Sequence, residues 1–105
     1  MLITLTAYGN NKLVATKELV ANGVEFKETQ EVIFKSNKAS LTIVTYQFET
    51  EEDANNYYKT ISIAVLQDMV EIQENKVIMT ITHNPLGKSK TEYKKQLKEA
   101  GYEVN

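Results

Sequence analysis

Apolar and small polar residues alternate from Leu2 to Tyr8 in a β-branched context, which predicts a strand that Gly9-Asn10-Asn11 breaks. Leu13, Ala15, Thr16, Leu19 and Val20 then fall at helical spacings. Asn10 or Asn11 can accept first-turn amides and Asn22-Gly23 suits a left-handed C-terminal cap, so a helix is expected from about Lys12 to Ala21. Val24, Phe26, Val32 and Phe34 share one parity, and Glu25, Lys27, Glu31 and Lys35 the other. This is the pattern of a strand with one wet face, open to interruption at Thr29-Gln30. Ser36-Asn37-Lys38 reads as a hairpin turn. Ser40 to Phe48 is β-branched and aromatic with apolar groups of both parities, as a central strand buried on both faces requires.

Thr50 followed by Asp53 resembles a capping box, and Ala54, Tyr57, Tyr58, Ile61, Val65 and Met69 follow at intervals of three and four. A second helix is expected there. Ile61, Ile63 and Val65 also alternate, which leaves residues 62–69 open to strand, with helix the preferred reading. Val70-Glu71-Ile72 and Val77 to Thr82 form a hairpin around Glu74-Asn75-Lys76, where asparagine tolerates positive φ, and Asn84-Pro85-Leu86-Gly87 ends it. Ser89 with Glu92 makes another capping box. Tyr93, Leu97 and Ala100 then form a narrow stripe that Gly101 closes, a short lysine-rich last helix. The order matches a single α+β domain over residues 1–105, a ferredoxin-like two-layer sandwich of β-α-β-β-α-β order. Its antiparallel sheet would have four or five strands, with two helices on one face, the other face free for function, and an extra C-terminal helix.

Composition narrows the chemistry. All 12 positive charges are lysine, and the chain of 105 residues has no arginine, no cysteine, no tryptophan and one histidine. Disulfides, thiol catalysis and thiolate zinc are excluded, and no glycine-rich loop ends in a lysine–hydroxyl pair. A net charge of −2 is too weak a field to imply a polyanion-binding surface. Charge is uneven: residues 1–87 carry an acidic excess, while Lys88, Lys90, Lys94, Lys95 and Lys98 make the end basic. Neither a secretory leader nor a bilayer-length apolar run is visible, so a cytoplasmic location is expected.

Thr42 to Ala54 (TIVTYQFETEEDA) resembles the third strand and second helix of an RNA-recognition motif over about a quarter of the chain. That resemblance implies bases stacked on aromatics at alternate strand positions. With Phe48 in the last such position the others fall on Ile43 and Thr45, and with Tyr46 on Leu41 and Ile43, so neither register supplies the stacking pair. Leu2 to Phe26 resembles the opening of a glutaredoxin-type thioredoxin fold, with Tyr8 to Lys12 in place of the redox loop. It lacks the cysteines, and the only proline, Pro85, stands in a turn.

His83 ends a strand before a turn, with Thr80, Thr82 and Asn84 as sequence neighbours and no nearby acid spaced to orient its ring, so it reads as a surface histidine. Glu51-Glu52-Asp53 is explained by the positive end of its helix. These residues call for no cofactor, no metal and no catalytic group. Six tyrosines without tryptophan point to a contact surface, since tyrosine buries large area at little entropic cost. The expectation is a small non-catalytic protein-interaction module or inhibitor. Its contacts would be made by Tyr46, Tyr57, Tyr58, Lys88, Lys90, Lys94 and Lys95, with a protein partner or a second copy of the chain in a homodimer. The alternatives are a ligand binder or enzyme using an open sheet face, and an RNA-recognition-like nucleic-acid binder. The lysine-only, asparagine-rich composition fits an AT-rich genome, so a Gram-positive bacterium, its phage or a mobile element is the expected source, with an anti-defence inhibitor among the roles open to it.

Overall fold

Ten consecutive residues with helical spacings pair instead as a strand. The computed structural model describes residues 11–64, 69–83 and 88–105. The strand expected over Leu2 to Tyr8, the Asn84-Pro85-Leu86-Gly87 turn and the Val65 position of the long stripe lie outside the described residues. Strand β1 is Lys12–Ala21, β2 Val24–Lys35 and β3 Lys38–Gln47; helix α1 is Glu51–Ala64; β4 is Val70–Gln73 and β5 Lys76–Thr82; helix α2 is Lys90–Glu99 and β6 Glu103–Val104. All pairings are antiparallel, in the order β4-β5-β3-β2-β1-β6. This overturns the ferredoxin-like expectation: three strands precede the first described helix, and the sheet has six strands in place of four or five.

The reason lies in β1. Leu13, Ala15 and Leu19 have one parity, and the β-branched Val14, Thr16 and Val20 the other, a pattern that suits a pleated strand as well as a helical stripe. The deciding signal is Asn22-Gly23. Both residues have positive φ, 55° and 77°, the requirement of a type I′ hairpin turn, and Ala21 stands opposite Val24 across it. An isolated amphipathic helix must bury its stripe to persist, whereas this segment gains a complete ladder against β2. The glutaredoxin-type likeness, which needed a helix here, ends with it.

The other turns follow the same chemistry. Ser36 and Asn37 have φ of 54° and 60° between β2 and β3, and Glu74, rather than Asn75, takes positive φ between β4 and β5. Strand β2 runs without a break through Thr29-Gln30, and β3 lies between β2 and β5 as a central strand. Thr50 accepts the Asp53 amide at 3.1 Å, and Ser89 accepts the Glu92 amide at 3.3 Å, so both expected capping residues serve their helices.

Both helices lie on the sheet face that carries Phe26, Val32 and Phe34, and they make two separate cores. Phe26, Phe48, Val70 and Val77 are buried beneath α1 together with Ala54 of the helix itself. Leu13, Val32, Phe34 and Ala39 are buried beside α2, with Tyr93 and Val104 packed against them. Among the described residues no helix is long and apolar enough to cross a membrane.

Candidate functional site

Between the two cores the covered face turns polar. Glu28 and Gln30 share the parity of Phe26 and Val32, so the pleat that buries those apolar side chains also buries a carboxylate, which is 7% exposed. A buried charge must be hydrogen-bonded. Tyr102 and Gln30 each donate to Glu28 Oε2 at 2.7 Å. Tyr46, opposite Glu28 on β3, packs its ring against Tyr57 of α1 with centroids 5.0 Å apart. Burial first, and then the Glu28 charge, pushes the Tyr46 phenol well above its usual range. Burial likewise raises Tyr57. Tyr102 is pushed up to about 12 by burial and by its bond to Glu28. Such phenols are held protonated as donors at neutral pH and are ill suited to act as bases.

Where this seam meets the β1–β2 turn, a cleft of about 500 Å³ opens. Its floor is aromatic: Phe26 and Phe48 are stacked with centroids 4.8 Å apart, and Tyr57 lies 5.3 Å from each. Ala21, Asn22 and Val24 form one wall, and Asp53, Asn56 and Thr60 of α1 the other. A shallower groove shares Phe26 and Phe48 and carries Glu18, Glu25 and Glu49 against Lys27 alone. This end of the sheet is acidic. An apolar floor with a few polar rim groups binds by shape and burial, and no nucleophile–base pair stands on it.

Beside the cleft runs an unfinished sheet edge. Asn105 donates its amide to Val14 O and accepts from Val14 N through Oδ1, so the outer edge of β1 is presented by even-numbered residues. Strand β6 covers this edge only at Ala15 and Thr16. Two and four residues further along, the amides and carbonyls of Glu18 and Val20 face outward without a neighbouring strand among the described residues, and Val20 is 71% exposed. The Lys17 ammonium marks where this stretch begins, donating to Ala100 O at 2.8 Å and lying over the Tyr102 ring.

The expected contact residues are divided by the fold. Tyr57 lines the cleft, Tyr46 sits under it in ring contact with Phe26, and Tyr58 is half-buried against the first core. Lys88 and Lys90 lie by the Ser36-Asn37 turn: Ala39 N donates to Lys88 O and Lys90 N to Asn37 Oδ1, while Lys94 and Lys95 lie further along α2. Tyrosines and lysines therefore belong to different places. The pattern left the strand open to interruption at Thr29-Gln30, which hid Glu28 and Gln30 as site residues; their shared parity with Phe26 was the available signal, and Tyr102 gave none. Among the described residues no group of three or more His, Asp or Glu could hold a metal ion. No protein-family model, curated protein or solved structure matches this chain.

Proposed function

We propose that this protein is a non-catalytic interaction module that captures an extended, basic segment of a partner protein along the outer edge of β1. The observation that carries the reading is the adjacency of a strand edge left unpaired among the described residues, Glu18 to Ala21, to a cleft floored by Phe26, Phe48 and Tyr57. Strand addition supplies main-chain hydrogen bonds, while pockets for alternate side chains supply selectivity. An added strand would pair with Glu18 and Val20 and drop an apolar side chain toward the aromatic floor. Glu18, Glu25 and Glu103 around that edge favour lysine or arginine at the intervening positions. They disfavour a second copy of the chain in the same place, because two-fold pairing of this edge would set like charges against each other.

The test is titration of the isotope-labelled protein with short peptides that alternate apolar and basic residues, beside acidic counterparts of equal hydrophobicity, followed by amide shifts. The basic set is expected to move residues 17–26 saturably. Val20→Pro removes an outward amide at an edge position where proline is tolerated, so the fold should persist and binding should be lost. Tyr57→Ala should weaken binding through the cleft. Binding that ignores both substitutions, or that prefers the acidic peptides, refutes the assignment. Light scattering at each step separates capture of peptide from self-association.

A further inference from the structure

At the opposite end of the sheet the charge reverses. Lys35 and Lys38 stand directly across from each other on either side of the Ser36-Asn37 turn. Like charges in that position repel, and nothing in the turn geometry demands them. Neither takes part in a salt bridge among the described residues. Glu31, on the same strand as Lys35, pairs with Lys12 at 2.6 Å, and Glu92 is bound within its capping box with Ser89. The register of β2 and β3 also shifts here. Ile33 pairs with Leu41 but Phe34 with Ala39, so Ser40 is an extra, bulged residue whose carbonyl accepts the His83 amide. The bulge brings His83 to the turn. Its Nε2 is bound to the Oγ1 of buried Thr42 and its ring packs edge-on against Tyr93, which fixes its plane. Lys35, Ser36, Lys38, Ala39, Ser40 and His83 together line a cleft of about 350 Å³.

We infer that this cleft is a binding site for the phosphate group of a small phosphate monoester. Two ammonium groups supply the charge, the Ser36 and Ser40 hydroxyls supply neutral donors, and the fixed imidazole forms one wall. A dianion placed between Lys35 and Lys38 converts their repulsion into two charge-assisted contacts. The volume is at the low end of small-molecule sites, which suits a compact ester in preference to a polymer. The site is separate from the peptide edge, being at the other end of β1–β3, and does not depend on it.

Amide shifts of Ser36, Asn37, Ser40 and His83 should respond saturably to inorganic phosphate and to phenyl phosphate at constant ionic strength, and not to chloride. Tighter binding of phenyl phosphate identifies an ester as the natural ligand, and binding of inorganic phosphate alone identifies the free ion; both support the site. Lys35→Gln and Lys38→Gln should each raise the Kd by about tenfold or more, as loss of one charge-assisted contact implies. Lys76→Gln, at the other end of the sheet, should leave it unchanged. The same two neutralisations should raise the melting temperature without phosphate while abolishing the rise that phosphate confers, so loss of binding cannot be mistaken for loss of fold. Shifts equal to those of chloride overturn the inference. So does a single-stranded oligonucleotide that moves these residues with steep salt dependence while inorganic phosphate moves none.

Discussion

Glu28 shows how a single side chain constrains its surroundings. A carboxylate that points into a covered sheet face needs donors, and Tyr102 and Gln30 supply them to one oxygen. Tyr102→Phe removes one donor without changing shape, and should cost about 1 to 3 kcal/mol in denaturant unfolding, as for a buried charged acceptor losing a partner. The same substitution has a signature in pH. The folded chain keeps the Tyr102 proton until about pH 12, whereas an unfolded tyrosine releases it near 10. Folded molecules therefore bind more protons across that interval, so stability is whole below pH 10 and falls as pH rises to about 12. Denaturation midpoints measured from pH 8 to 12 should decline less steeply in Tyr102→Phe. An equally steep decline would assign the alkaline loss to Tyr46 and Tyr57 instead. This group was legible in part: Glu28 and Gln30 have the buried parity in the sequence, but the partner Tyr102 lies 74 residues from Glu28, and only the return of the chain along β1 joins them.

Among the elements, the turns carry more information than the periodicities. Thr50 and Ser89 announced their helices correctly because capping is a local interaction between residues three apart. Ser36-Asn37 likewise marked its hairpin. Lys12–Ala21 was misread because its apolar residues satisfy two periods at once, and Asn22-Gly23 serves either a helix cap or a type I′ turn. What separates these is a strand partner, β2, which no window over β1 contains. With that segment read as helix, the order of elements imitated a ferredoxin-like sandwich. Gly23 tests the corrected account. Its φ is 77° and a Cβ there would meet nothing within 4 Å, so Gly23→Ala imposes backbone strain without a clash. The expected cost is about 1 kcal/mol, the penalty of a left-handed L-residue, with the sheet intact by amide shifts. A neutral outcome would mean that the turn is not held in this conformation.

Over the whole molecule, the polar seam divides one sheet face into two cores of unequal weight. The α1 side holds stacked and tilted aromatic rings, whereas the one buried side chain of α2 is Leu97, and its Tyr93 packs partly buried against the second core. Local stability follows buried apolar contact, so α2 with β6 should be the unit that opens first. Hydrogen exchange is expected to show lower protection for the amides of α2 than for those of β2 and β3. Leu97→Ala should cost about 2 to 5 kcal/mol of that unit's stability, the range for a buried leucine, and should collapse protection in α2 and β6 while protection in α1 and β3 survives. A simultaneous loss in both helices would show that the seam transmits cooperativity instead of interrupting it. The distinction bears on the peptide edge. Release of β6 frees Ala15 and Thr16 and extends the edge of β1 that is unpaired among the described residues from Glu18 back toward Val14. In Leu97→Ala the basic peptides should then move residues 14–16 as well as 17–26, a lengthening of the footprint that a rigid C-terminal unit would forbid.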